Sequence, residues 1–387
     1  MDTQKLDQTY IANTYARFPV TIVKGKGSLV WDDTGKEYID LSTGIAVDIF
    51  GVADEEWMAA VTKQLGTLQH ISNLYYTEPC VKLAQMLCEK TGMKKVFFGN
   101  SGAEANECAI KAARKWSEEK KGKDYSTIIT LKNSFHGRTI TTLAATGQNV
   151  FHHDFTPLTE GFVYAEPNDL ADLEQLIKAN KCAAVMMEVV QGEGGVMPLD
   201  EAYVKGAAKL CEQYDLLLIC DEVQVGNGRS GKLYGYMYYG VQPDIVSTAK
   251  GLAGGLPLGA TLLGEKVQDV LSAGTHGSTF GGNPVCCAGA INVLSRLDEK
   301  MLEGVEERSA YIKQELAGAK GVLGVSGLGL MLGIQTEKNA SDIIAACREK
   351  GVLVIKAKDK LRLLPALNIP MEQLQKAVAV IKACCAE

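Results

Sequence analysis

Leu216-Leu217-Leu218-Ile219-Cys220-Asp221-Glu222-Val223-Gln224 and, a little further on, Pro243-Asp244-Ile245-Val246-Ser247-Thr248-Ala249-Lys250-Gly251 decide how this chain folds. Each contains a short, largely apolar run that lacks helical spacing, and each run is followed by a charged residue. Such runs read as strands buried on both faces of a sheet. Val96–Phe98, Thr127–Leu131 and Ala183–Val190 have the same character as Leu216–Cys220 and Ile245–Thr248. Between them, Ala103–Lys120, Leu170–Asn180 and Glu201–Tyr214 carry apolar residues at helical period with charges on the other face. Strands alternating with amphipathic helices predict an α/β fold, a mostly parallel sheet covered on both sides. In such sheets ligands sit at the carboxyl ends of the strands, so the residues just past the apolar runs are the ones to inspect.

Outside this region the texture changes. Ala288–Lys300, Glu303–Ala317, Ser341–Lys350 and Met371–Ala383 read as helices around short strands at Leu330–Gln335, Val352–Ile355 and Leu361–Leu364. Ser28–Trp31 and Glu37–Asp40 flank a turn at Asp33-Thr34-Gly35. At 387 residues the chain exceeds what one hydrophobic core supports. The expected organisation is an N-terminal segment (1–50) joining a smaller α+β domain (285–387), packed on a large domain (51–284). No repeat or low-complexity linker separates them.

Composition narrows the function classes. With 46% hydrophobic and 22% charged residues the chain reads as soluble and globular. Its net charge of −6 is spread along the sequence with no basic run, which argues against nucleic acid as a partner. The first ten residues are polar, so no signal peptide is expected, and no stretch approaches the roughly 20 apolar residues of a membrane span. The eleven cysteines lack Cys-x-x-Cys spacing and lie mostly in apolar segments such as those holding Cys108, Cys182, Cys211 and Cys220. Reduced, buried thiols in the cytoplasm are expected, with neither a disulfide framework nor a metal site.

Four segments follow strands and carry chemistry. Asp221, after Leu216–Cys220, reads either as a turn cap or as a carboxylate facing a buried cation; a protonated aromatic nitrogen would be stabilised there. Lys250 alone would be taken for surface. Ending a buried strand and entering the glycine-rich Gly251–Gly259, it becomes a desolvated amine suited to Schiff-base chemistry. Asn100-Ser101-Gly102-Ala103-Glu104 opens a long helix; Ser101 and Glu104 fit a capping box. The free N–H groups of that helix start attract an anion such as phosphate, worth about 0.3–2 kcal/mol. In Ser134-Phe135-His136-Gly137-Arg138-Thr139, Phe135 suits stacking on a planar ring and Arg138 a carboxylate. His136 reads as structural.

In this order and spacing the segments resemble the class III aminotransferases, and within them the acetylornithine aminotransferase branch. The likeness runs from Tyr15-Ala16-Arg17-Phe18-Pro19 to Leu361-Arg362-Leu363-Leu364-Pro365 and includes Gln191-Gly192-Glu193 and His276-Gly277-Ser278-Thr279-Phe280-Gly281-Gly282-Asn283-Pro284. It implies fold type I of the pyridoxal-phosphate-dependent transferases, a large domain with a mostly parallel seven-stranded sheet plus a smaller α+β domain. It also implies roles. Lys250 would carry pyridoxal 5'-phosphate as a Schiff base and shuttle a proton, and Asp221 would hold the ring nitrogen's proton. Gln224, with Glu222 and Val223 beside it, would lie against the ring, and Phe135 would stack on it. Ser101, Gly102 and Ala103 would take the phosphate, with Thr279 reaching in from the other subunit of a homodimer whose active site lies at the interface. Tyr15, Arg138 and Ser278 would contact substrate. Glu193 would pair with Arg362 while an amine-ended substrate is bound and release it for 2-oxoglutarate; a static salt bridge is the plainer reading.

Ornithine δ-aminotransferases resemble the chain but have tyrosine where Gly44 aligns. With Ser72-Asn73-Leu74-Tyr75-Tyr76, this favours N2-acetylornithine as donor, with ornithine, N-succinylornithine, N-succinyl-diaminopimelate or other ω-amines as alternatives. Departures from the family pattern are Asp48 for asparagine, Gly51-Val52-Ala53 for a Gly-His-x-His stretch, and Glu188-Val189 for Glu-Pro. A nucleotide-binding dehydrogenase is disfavoured, since neither Gly-x-Gly-x-x-Gly nor a P-loop pattern occurs. A non-catalytic relative would be expected to lack Lys250 or Asp221. A racemase, aminomutase or decarboxylase on the same scaffold would not call for Arg138, Glu193 and Arg362 together.

Overall fold

The computed structural model describes residues 2–387. A seven-stranded sheet forms its centre, in the spatial order Lys95–Gly99, Gly259–Leu263, Ile245–Thr248, Leu217–Asp221, Cys182–Met187, Thr127–Leu131 and Phe162–Ala165. Neighbours are parallel except around Gly259–Leu263, which runs against both of its partners. Cys182–Met187, Leu217–Asp221 and Ile245–Thr248 are buried along their whole length, as unbroken apolar runs require. Asp221 pairs in register with Ser247, so Asp221 and Lys250 leave the sheet at the same edge.

Two of these strands escape the sequence reading. Gly259–Leu263 follows a glycine and proline loop, and Phe162–Ala165 is a short edge strand. The apolar run Ala183–Val190 is not one strand: Cys182–Met187 joins the large sheet, while Val190–Gln191 pairs with Met197–Pro198 in a small ribbon. Glu188 sits at the break, its carboxylate occupied with backbone N–H groups from two loops.

Val322–Leu328, Met331–Thr336, Lys360–Leu363 and Ile355–Ala357 form a four-stranded antiparallel sheet. Ile22–Lys26, Leu29–Asp32 and Glu37–Asp40 form a meander that Val352–Leu353 extends in parallel, so the first fifty residues and the C-terminal region share a sheet. The run expected as Val352–Ile355 thus divides between two sheets. The helices expected at Ala288–Lys300 and Glu303–Ala317 run Pro284–Arg296 and Glu299–Leu316. Asn283 caps the first by accepting from Val285 and Cys286 N–H, and Asp298 caps the second by accepting from Met301 N–H at 2.8 Å. The first of these helices packs on Glu55–Leu65 and Glu78–Thr91.

Thr43–Ala46 is a single turn of left-handed helix, with φ of 46°, 61°, 66° and 63°. Non-glycine residues adopt this conformation at about 1–2 kcal/mol each. Asp40 anchors the turn by accepting from Ser42 N–H (2.7 Å), Ser42 Oγ (2.6 Å) and Thr43 N–H (3.1 Å), and Thr43 Oγ1 donates to Leu364 O at 2.6 Å. All the cysteines are unpaired thiols, and all but Cys80 and Cys88 are buried. Among the described residues no helix is long and apolar enough to cross a membrane.

Candidate active site

At the carboxyl edge of the sheet lies a cavity of about 220 Å³, lined by Gly102, Ala103, Asn106, Phe135, His136, Arg138, Glu188, Asp221, Val223, Gln224 and Lys250 among others. Asp221 ends its strand 3% exposed. Its Oδ2 accepts from Asn106 Nδ2 and from His136 Nδ1, both at 2.8 Å, and its Oδ1 from Val223 N–H at 3.0 Å. Three donors fix where the acid points. His136 is structural, as its sequence context suggests, but what it holds is this acid. Asn106, one turn into the helix Gly102–Lys121, had no distinguishing sequence signal beyond its position.

Lys250 begins a short turn after Ile245–Thr248 with φ of +46°, a strained conformation of the kind stored at functional sites. Burial pushes its proton affinity down, against the pull of Glu193 and Asp221, and the net pKa is lowered. A lowered pKa keeps more of the amine neutral and nucleophilic.

The helix start beside it departs slightly from the expected capping box. Ser101 Oγ accepts from Glu104 N–H at 3.2 Å, but Glu104 reaches back to Asn100 N–H at 2.8 Å rather than to Ser101 N–H. A Cβ at Gly102 would lie 2.6 Å from Val223 Cγ1, so only glycine lets this helix start sit against the Asp221–Gln224 turn. The first-turn N–H groups have no intrahelical acceptors and form a cradle for an anion.

Phe135 is half-buried, its ring edge-on to Phe151 with centroids 5.7 Å apart. The exposed Arg138 lies with its guanidinium 5.5 Å from the Phe135 ring centre and 4.8 Å from that of Phe151. Arg362, 3% exposed on Lys360–Leu363, points its Nη1 at Glu193 Oε1 (2.5 Å) and Gln224 Oε1 (3.0 Å), and its Nη2 at Lys356 O (3.3 Å). Gln224 Nε2 donates to Glu193 Oε1 at 3.3 Å. Burial raises the Glu193 carboxyl, but the charge and hydrogen bond of Arg362 outweigh it and the pKa ends below the ordinary value.

Four residues singled out in the sequence are not gathered here. The Glu222 side chain turns away and accepts from Gly235 N–H (2.7 Å) and Tyr236 N–H (2.8 Å); it is wholly buried, which pushes its pKa up to about 8. Tyr15 is 68% exposed beneath the Arg17 guanidinium. Ser278 accepts from Asn100 Nδ2 at 3.1 Å behind the helix start, and Thr279 is exposed next to it.

The model of the aminotransferase class-III family matches residues 10–385. This chain is a class-III aminotransferase. It is 50% identical over 386 residues to an acetylornithine aminotransferase of Haemophilus ducreyi, covering 99% of this chain and 98% of that one. Among solved structures it is similar to the ornithine aminotransferase of Toxoplasma gondii crystallized with oxidized glutathione, whose active site holds PLP at partial occupancy (TM-score 0.94, 34% identity, 99% and 93% coverage). It is also similar to the N-acetylornithine aminotransferase of Stenotrophomonas maltophilia (TM-score 0.86, 36% identity, 99% and 98% coverage).

As a class-III aminotransferase the protein uses pyridoxal 5'-phosphate. The cavity fits that group: a pinned buried acid, a desolvated amine, an aromatic ring and a bare helix start surround one space. A methyl group at Gly102 would meet Val223 and push the helix start away from that space.

Proposed function

We propose that this aminotransferase moves the δ-amino group of N2-acetylornithine to 2-oxoglutarate, giving N-acetylglutamate 5-semialdehyde and glutamate. The observation that carries the reading is the Glu193–Arg362 pair beside the cavity. A buried guanidinium masked by a partly exposed carboxylate, 4% against 29% side-chain exposure, suits a site that takes an amine-ended substrate first and a dicarboxylate second. The glycine at position 44 and the names of the similar proteins support acetylornithine as the donor.

When bound, pyridoxal 5'-phosphate supplies an electron sink for the substrate carbon that bears the amino group. Lys250 would hold it through Nζ and carry the proton to and from that carbon. Asp221, oriented by Asn106 and His136, would keep the ring nitrogen protonated. Phe135 and Val223 would flank the ring, and Gln224 would contact its phenolic oxygen. Ser101 and the N–H groups of Gly102 and Ala103 would receive the phosphate, with the partner subunit's Thr279 closing that end. Arg138 would grip a substrate carboxylate; Ser278, held against Asn100 outside this cavity, does not join it within one subunit. Glu222 supports the turn from behind, and Tyr15 does not line the cavity within one subunit. The same reading takes the enzyme to be a cytoplasmic homodimer, with an N-terminal segment (1–50) joined to a small domain (285–387) and a large domain (51–284) between them.

Mixing the purified enzyme separately with N2-acetylornithine, ornithine, N-succinyl-diaminopimelate and 4-aminobutyrate, and following the cofactor absorbance, tests the donor. Acetylornithine should react fastest; ornithine reacting far better would overturn the assignment.

A further inference from the structure

Glu188 lines the same cavity, 5% exposed, and none of the roles above uses it. It stands where the strand Cys182–Met187 ends and the ribbon Val190–Gln191 has yet to begin. Its two oxygens are divided between two loops: Oε1 accepts from Phe135 N–H at 2.8 Å, and Oε2 from Gly192 N–H at 3.3 Å. The first loop carries the ring-stacking Phe135 and Arg138. The second leads directly into Glu193. Gly192 has little freedom to drift toward the pocket, since a Cβ there would lie 2.5 Å from Gln224 Oε1. Upstream, Gln191 Nε2 donates to Lys132 O at 2.8 Å. From Gly192 onward, the bond to Glu188 ties the loop to the cavity wall.

We infer that Glu188 is a positioning residue: one carboxylate spans the two loops and sets Glu193 in place over Arg362, thereby fixing how the enzyme discriminates between ω-amine and α-amine donors. The inference rests on the gate reading of Glu193 given above. Burial pushes the Glu188 carboxyl up to about 7, with His136 pulling it down and Asp221 pushing it further up. Its two hydrogen bonds come from backbone N–H groups, and among the described residues it makes no ion pair. The span needs two acceptor oxygens at glutamate length. In Glu188→Gln the amide oxygen can take one N–H, but the amide nitrogen then faces the other as donor against donor. The shorter bond to Phe135 is the one kept, and Gly192 is released. Glu188→Asp retains the charge but is a methylene too short to reach both loops.

The test is a double-mutant cycle in the pyridoxal-phosphate-loaded enzyme, reading the ratio of kcat/KM for N2-acetylornithine to kcat/KM for L-glutamate. Glu188→Gln should lower the ratio by roughly 3- to 30-fold, as expected for losing one hydrogen bond. It should have no further effect once Glu193→Ala is present. Glu188→Asp should copy Glu188→Gln, and it carries the comparison if the glutamine variant fails to fold. If Glu193→Ala leaves the ratio unchanged, the gate reading fails and the inference falls with it. If Glu193→Ala shifts the ratio while both Glu188 variants leave it alone, or shift it equally in the two backgrounds, the gate stands and the inference is overturned. Slowing of both donors in equal proportion, the mark of a merely structural residue, also overturns it, as does wild-type behaviour of Glu188→Asp.

Discussion

Glu193→Ala strips Arg362 of the one carboxylate within ion-pairing distance among the described residues. What remains around the guanidinium is Gln224 Oε1 at 3.0 Å and Lys356 O at 3.3 Å, with Nε unpartnered. Removing one member of a fully buried pair typically destabilises by about 3–5 kcal/mol. Here Glu193 is 29% exposed and two neutral acceptors stay, so a loss of about 1–3 kcal/mol is expected. A chain of 387 residues has an unfolding entropy on the order of 0.8 kcal/mol per kelvin, which makes this a fall in Tm of roughly 1–4 °C. The informative part is rescue. Glutarate, a dicarboxylate that cannot accept an amino group, should find the arginine already unmasked in the variant, whereas in the wild type it must displace Glu193. A ligand at about 100 times its Kd adds about 2.7 kcal/mol, so at one shared glutarate concentration the variant, with the lower Kd, should gain more in Tm than the wild type. Thermal denaturation of both proteins with cofactor bound, across a glutarate series, measures it. Equal Tm values together with equal glutarate shifts would refute the masking argument. The wild-type pair also has a pH signature. Because the folded pKa of Glu193 is depressed, its stabilisation is present above the ordinary carboxylate range and lost as pH falls through the folded value.

Gly102→Ala places a methyl group 2.6 Å from Val223 Cγ1, so apo-enzyme titrated with pyridoxal 5'-phosphate should show a Kd raised about tenfold or more. Val223→Ala in the same protein should recover most of that affinity. For Glu222 the folded pKa of about 8 stands above its ordinary 4.5, so its contribution to stability is complete below pH 4.5 and lost as pH rises through 8. Urea midpoints should therefore decline over that window in the wild type and decline less in Glu222→Gln. Borohydride reduction of the loaded enzyme should fix the cofactor on the peptide containing Lys250, read by mass spectrometry, and Lys250→Ala should yield no such adduct.

What the sequence makes legible is whatever a local pattern encodes. Thr127–Leu131 and Ile245–Thr248 appear with their bounds intact because strands buried along nearly all their length need continuous apolar runs. Asp221 and Lys250 stand out because topology places strand ends at the ligand edge. The antiparallel Gly259–Leu263 does not, since one of its two partners, Lys95–Gly99, lies far away in sequence and its flanking glycines look like loop. Glu188 was hidden inside an apolar run that reads as one strand. Asn106 and the acid-holding task of His136 depend on three segments meeting at Asp221, and no spacing rule records that. Glu222 misled in the opposite sense. Adjacent residues at a strand end point to opposite sides, so the carboxylate next to Asp221 serves a different loop.

The left-handed turn at Thr43–Ala46 bears on any attempt to improve this enzyme by directed evolution. Its three non-glycine residues in left-handed backbone hold on the order of 3–6 kcal/mol of unfavourable conformation, comparable to the net stability of a small domain. Glycine or asparagine at Thr43, Ile45 or Ala46 would relieve part of that, and a screen for heat tolerance would be drawn there early. Yet the turn leans on Leu364, just beyond Arg362, and Ala46 O lies 3.2 Å from where a Cβ on Gly251, the neighbour of Lys250, would be. Variants chosen for endurance at these positions would be expected to trade away alignment between the amine and the arginine, so selection there should score turnover alongside survival.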